Sequence, residues 1–197
     1  MLENLPVIVF GAVMVSWLVF AVAFFLNTRP ASAVTPDRKR APASIVGIVL
    51  QGLSYGLVWT VRRPLMTLPY RFSAIVAVIW AVLTITIAVA SVWFTVAAVR
   101  TLGKEWSLTA RVVEEHRLVQ AGPYRLVRHP IYTGMLGMLL ATGFALGNWW
   151  VLIIAVCVFL VGTRIRVGYE ERLLREAFGA EFDDFARRVP AIIPFLI

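Results

Sequence analysis

The sequence predicts an all-α fold: a polytopic membrane helix bundle of about five transmembrane helices, the last two a short hairpin, followed by a C-terminal interfacial helix. Three observations carry that expectation. Hydrophobic residues make up 60% of the 197-residue chain, with a mean hydropathy of +0.81, well above the roughly 45–50% apolar share of a soluble domain. The apolar residues gather into runs of membrane-crossing length, for which about 20 residues are needed. Basic residues flank those runs and do not form one stripe.

The first run is Pro6–Leu26. Glu3 precedes it, no basic n-region does, and no small-residue cleavage site is convincing, so a retained span is expected and not a signal peptide. Asn27–Pro42 carries Pro30, Pro36, Asp37, Arg38, Lys39 and Arg40 and reads as a turn-rich basic loop. Ala43–Val61 is the second span. Arg62, Arg63, Pro64, Pro69 and Arg71 break it from the third, Phe72–Val99, which is long enough to tilt or project from the bilayer.

Beyond Arg100 the pattern changes. Lys104, Glu105, Arg111, Glu114, Glu115, His116, Arg117, Arg125, Arg128 and His129 mark a solvated or interfacial segment. Ile131–Thr163 is apolar again, too long for one comfortable crossing and short for two, with Gly147, Asn148, Trp149 and Trp150 in its middle. A tight hairpin turning at Gly147–Asn148, with the tryptophans at an interface, fits best. Such a hairpin returns Arg164–Glu171 to the membrane face that holds Leu118–Tyr132; a single span would put a bilayer between them. From Val167 to Arg188, Leu173, Leu174, Phe178, Phe182 and Phe185 alternate with charges as in an amphipathic helix at the cytoplasmic interface, interrupted near Gly179. No internal repeat is visible, and residues 1–197 read as one membrane domain, spans in 1–99 and the polar half in 100–197.

Charge sets the expected orientation. With the N-terminus outside and five spans, all of the 19 basic side chains except Arg62, Arg63 and Arg71 face inward, as the positive-inside rule asks. The net charge of +8 is therefore topological, and no nucleic-acid partner is expected. Cys157, the single cysteine, stands in an apolar run and forms no intrachain disulfide; a small buried hydrophobe is the plain reading. The two histidines, His116 and His129, belong to no metal-binding spacing such as His-Glu-x-x-His, so no metal is expected. No Gly-x-Gly-x-x-Gly follows a strand pattern, which argues against a doubly wound nucleotide fold.

The sharpest local signal runs from Gly122 through Pro123, Tyr124, Arg125, Arg128, His129, Pro130 and Tyr132 to Gly134 and straight into an apolar helix. Pro130 suits the first helical position. A helix starting there offers N–H donors and a positive dipole end beside Arg128 and His129, where a carboxylate would be held. His129 and Tyr132, three residues apart, would address one ligand from neighbouring positions. On the returning limb, Arg166 and Glu170 lie four apart. They are either a plain ion pair or, since ionisable groups at the end of an apolar helix are costly, part of a functional site.

The order Gly-Pro-Tyr, Arg-His-Pro-x-Tyr, apolar hairpin, Glu170-Glu171, then Leu-Leu-x-x-Phe-Gly-x-Glu-Phe resembles the isoprenylcysteine carboxyl methyltransferase family and its phospholipid methyltransferase relatives. The resemblance covers roughly His116 to Pro190; the first three spans match only in being apolar. It implies S-adenosylmethionine held at the cytosolic face by Leu118, Val119, Gly122, Tyr124, His129, Tyr132, Glu170 and Glu171, with Arg166 near the reaction centre. It also implies a lipidic or small hydrophobic methyl acceptor arriving laterally from the bilayer, a carboxylate being favoured over a phospholipid amine or a thiol. The protein would then be integral to the membrane, the cell inner membrane if the source is bacterial. The rival readings are a sterol-reductase-like membrane reductase and a non-enzymatic assembly factor. The residue chemistry agrees with the cofactor: its carboxylate suits His129 and the helix start, its ammonium and ribose hydroxyls suit Glu170, and its adenine suits Leu118, Val119 and Tyr124.

Overall fold

The computed structural model describes residues 4–27, 42–64, 73–103 and 118–193. Residues 28–41, nearly all of the basic loop Asn27–Pro42, as well as Pro69 and Arg71 and the charged stretch holding Lys104, Glu105, Arg111, Glu114, Glu115, His116 and Arg117, lie outside the described residues. Among the described residues six α-helices follow in order: α1 (Leu5–Asn27), α2 (Pro42–Thr60), α3 (Ala74–Leu102), α4 (Pro130–Leu146), α5 (Trp149–Phe178) and α6 (Ala180–Arg188), with a short 3-10 turn at Gly122–Arg125 before α4. By length and composition α1, α3 and α5 can each cross a membrane, and α2 and α4 are shorter apolar helices. The chain is a polytopic membrane helix bundle.

Its surface is that of a protein solvated by lipid. Ile75 is 74% exposed, Trp93 69% and Leu18 64%, whereas Ser54, Thr84, Thr95, Thr142 and Thr163 are fully buried. Lipid tails are as apolar as leucine, so helices associate through close packing and hydrogen bonds, and small residues collect at their contacts. Cys157 follows the same logic and corrects the expectation of burial: it is exposed on α5, because an apolar side chain in a bilayer gains little by turning inward.

α2 packs along α5, α3 along α4, and α1 against α3 and α4. Glycines make two of these contacts possible. A Cβ on Gly47 of α2 would stand 2.7 Å from the Gly162 carbonyl of α5, and a Cβ on Gly162 would stand 2.8 Å from that of Gly47. Gly134 and Gly137 of α4 face Thr95 and Ser91 of α3 in the same manner. Hydrogen bonds tie other pairs: Trp17 donates to Thr142 (3.0 Å), Gln51 to Thr163 (2.9 Å), and the Tyr55 hydroxyl to the Met135 carbonyl (2.6 Å).

The hairpin turns where expected, at Gly147–Asn148 between α4 and α5, with Trp149 and Trp150 exposed beside it. Arg63, just past α2, clasps it. Its guanidinium donates to the carbonyls of Gly147 (2.8 Å), Phe144 (3.2 Å) and Ala145 (3.2 Å), and its backbone N–H to Leu146 (2.9 Å). These carbonyls lie at the negative end of α4, where no further helical N–H follows, so a cation is well placed there. This local use gives a role to one of the three arginines expected to lie apart from the other basic residues.

The C-terminal region differs in one respect from a separate amphipathic helix beginning at Val167. α5 runs unbroken from Trp149 to Phe178, so Arg166–Glu171 extend the span itself. Nothing between Thr163 and Phe178 breaks a helix; Gly168 sits with open space around it. The break comes at Gly179, in the left-handed region at φ 52°. α6 then turns back, burying Phe182 and Phe185, and Arg175 bridges to Asp183 at 2.8 Å.

Candidate active site

Pro130 occupies the first position of α4, as its fixed φ favours, and His129 is the N-cap residue. α5, arriving antiparallel after the hairpin, brings Arg166, Glu170 and Glu171 alongside. Tyr132 and Glu170, 38 residues apart, meet directly: the phenol donates to Glu170 Oε1. The two polar stretches therefore share one end of the bundle.

The cluster is a closed network. His129 Nδ1 lies 3.4 Å from Glu170 Oε2 and His129 Nε2 lies 3.3 Å from Glu171 Oε1. Arg166 Nη2 reaches Glu170 Oε1 at 3.3 Å, and its guanidinium carbon lies 5.2 Å from the Tyr132 ring centre. Arg128 holds Glu171 Oε1 through Nε at 2.9 Å and Nη2 at 2.8 Å. His129 is buried, which disfavours its charged form, yet hydrogen bonds to both glutamates outweigh that and hold the imidazole above its ordinary pKa. Burial, and then the Glu170 charge, push the Tyr124 phenol upward from its usual value. Two carboxylates thus stand among Arg128, Arg166 and His129, each oriented by at least two donors.

Of the residues expected from sequence, His129, Tyr132, Glu170, Glu171 and Arg166 come together here. Tyr124 is buried in the 3-10 turn, close enough to Glu170 to feel its charge. Gly122 opens that turn at φ 58°, and a Cβ there would stand 2.8 Å from the Thr101 hydroxyl at the end of α3. Leu118 and Val119 are half-buried on the segment leading into the turn. The described hydrogen bonds that knit the cluster involve none of Leu118, Val119 and Gly122.

At the helix start, where a carboxylate is expected beside Arg128 and His129, the N–H groups of Tyr132 and Thr133 go to the His129 carbonyl, and those of Arg128 and His129 go to residues 189–193, which run back as a strap across them. The Pro190 carbonyl accepts from Arg128 N–H (2.8 Å), that of Ala191 from His129 N–H (2.9 Å), and that of Ile192 from the Thr133 hydroxyl (2.5 Å). The Arg128 guanidinium adds Ala186 (2.9 Å) and Val189 carbonyls. Buried backbone donors must find partners, and here the chain supplies its own. Arg128 is the residue that sequence reasoning undervalued; its position immediately before His129 in the Arg-His-Pro motif was the available signal.

The sequence model of the phospholipid methyltransferase family matches residues 76–181, just over half of the chain. A probable protein-S-isoprenylcysteine O-methyltransferase of Oryza sativa subsp. indica is 34% identical over 101 residues, covering 50% of this chain and 53% of that protein. Protein-S-isoprenylcysteine O-methyltransferase B of Arabidopsis thaliana is 35% identical over 104 residues, covering 50% and 51%. The cobalt-zinc-cadmium resistance protein CzcN of Cupriavidus metallidurans is 34% identical over 97 residues, covering 49% and 44%. The chain spans about half the length of the curated relatives it matches. The matched stretch contains α4, α5 and every member of the charged cluster, and on that ground the chain belongs to the phospholipid methyltransferase family.

Proposed function

We propose that this protein is an integral membrane methyltransferase that uses S-adenosylmethionine and acts on a lipidic or small hydrophobic acceptor, a carboxylate of the isoprenylcysteine type being favoured. The observation that carries the reading is the Tyr132–Glu170 contact, with His129 between Glu170 and Glu171. The similarity to isoprenylcysteine methyltransferases over this stretch supports it.

The donor set fits the cofactor's cationic and hydroxyl-bearing end. Glu170 and Glu171 offer carboxylate oxygens suited to an ammonium and to ribose hydroxyls, and Leu118, Val119 and Tyr124 offer an apolar flank for a purine. When bound, S-adenosylmethionine would supply an electrophilic methyl group. Glu170 acts as a hydrogen-bond acceptor and not as a base: His129, Arg166 and Tyr132 hold its charge in place. A carboxylate or thiolate acceptor asks no residue to remove a proton, whereas a protonated amine does. The protein's contribution is then to orient the acceptor and exclude water. Arg166, at the edge of the apolar part of α5, suits an anionic acceptor by orienting it. The inward bias of basic residues supports a cytoplasmic site and an external N-terminus.

Calorimetric titration of the detergent-purified protein with S-adenosylhomocysteine tests the cofactor assignment. Saturable heat, weakened in Glu170→Ala and His129→Ala, is expected; no saturable heat in the wild type, or unchanged affinity in both variants, overturns it. Membranes incubated with labelled methyl donor and then treated with base test the acceptor class. Volatile methanol marks a methyl ester, and retained label marks N- or S-methylation.

A further inference from the structure

Gly47 lies on α2, outside the stretch that the family model matches, yet it borders the site. A Cβ there would stand 2.5 Å from Arg166 Cγ, 3.4 Å from Cδ and 2.7 Å from the Gly162 carbonyl. Real side chains essentially never approach that closely, so the hydrogen at Gly47 is what lets Arg166 run over α2. The same side chain ends over the Tyr132 ring, with Nη2 at 3.3 Å from Glu170. Gly52 and Gly56, on the same helix, have open space beside them, so the demand for a missing side chain belongs to position 47 and not to α2 in general.

A second observation fixes the register. One turn from Gly47, Gln51 is buried and donates to Thr163 Oγ1, itself fully buried, at 2.9 Å. A polar pair within an apolar helix contact is costly to break, since neither partner finds another in lipid. It locks the rotation of α2 against α5 and so keeps Gly47 opposite Arg166.

We infer that Gly47 is a positioning residue of the site: it leaves the channel along which Arg166 reaches the Tyr132–Glu170 pair, and Gln51–Thr163 holds that channel in register. The inference rests on the methyltransferase reading only for its activity consequence. Tyr132 and Glu170 then depend on a helix that carries no family motif.

The test is a double-mutant cycle on the full chain in detergent, with Gly47→Ala, Arg166→Ala, the double variant, and Gly52→Ala as helix control. Two quantities are read, the thermal midpoint and the affinity for S-adenosylhomocysteine. Gly47→Ala is expected to weaken binding about as much as Arg166→Ala, the double variant no further, and Gly52→Ala not at all. Its loss in midpoint is expected to be smaller in the Arg166→Ala background, where only the Gly162 carbonyl remains in the way. Equal losses in both backgrounds, or binding losses that multiply, make Gly47 a packing residue and overturn the inference. Should Gly47→Ala fail to fold, recovery of folding in the double variant supports the inference and failure there overturns it. A wild type that does not bind S-adenosylhomocysteine removes the methyltransferase reading while the two midpoints still decide the role of Gly47.

Discussion

Arg128→Ala gives the most demanding test of how the site is held. The side chain is 13% exposed and its partner Glu171 16%, so solvent replaces little of what is lost. Two of its N–H groups go to one Glu171 oxygen, and a third nitrogen serves the carbonyls of Ala186 and Val189. Removing one partner of a buried, hydrogen-bonded pair costs about 3–5 kcal/mol, because the carboxylate stays behind and the carbonyls of Ala186 in α6 and Val189 in the strap lose their donor. Glu171→Ala leaves Arg128 its backbone carbonyls and should cost less, about 1.5–3 kcal/mol, the range for one hydrogen bond to a charged group. The double variant should cost less than the sum of the two single losses, since both changes remove the Arg128–Glu171 contact. Equilibrium unfolding in mixed micelles with increasing SDS measures all three. A loss below about 1 kcal/mol for Arg128→Ala, on the scale of an exposed ion pair, would falsify the idea that this arginine joins strap, loop and α5.

Stability should also depend on pH through His129. Its folded pKa lies above the unfolded value of about 6.5, so its contribution is fully present below about 6.5 and disappears as pH rises through the folded value. The same SDS titration run from acid to alkaline buffer should show stability falling above about 6.5 in the wild type, with that component absent in His129→Ala; identical slopes would refute the assignment. At the other end of the bundle, Arg63→Ala removes the clasp on the α4–α5 turn. Each hydrogen bond to a charged group is worth about 1.5–3 kcal/mol, so a loss of at least that size is expected, with S-adenosylhomocysteine affinity unchanged because the site lies at the opposite end of α4. An unaltered stability would show that water serves those carbonyls equally well.

Much of the architecture is legible in the chain because bilayer thickness turns composition into geometry. A run of about 20 apolar residues has one economical conformation in lipid, since every backbone group must be satisfied within the segment. Pro6–Leu26, Ala43–Val61 and Phe72–Val99 accordingly appear as α1, α2 and α3 with their ends moved by a few residues at most. Gly147–Asn148 announces its turn by interrupting an apolar run that is too long for one crossing. Pro130 and Gly179 mark helix ends through φ preferences that any local reading detects. The pairing of Tyr132 with Glu170 follows from the hairpin alone, because two antiparallel limbs return their polar ends to one place.

What the chain did not announce is where donors already have acceptors. The N–H groups of Arg128 and His129 look open along the sequence, and only the fold brings Pro190 and Ala191 back across them. The role of Gly47 is hidden for the same reason: glycines are common in membrane helices, and Gly52 and Gly56 read identically until α5 is laid beside α2. Local composition and solvent determine which segments become helices and which of their ends carry charge. Side-chain occupancy depends on contacts between residues tens of positions apart, and those are decided by the single arrangement in which the helices pack.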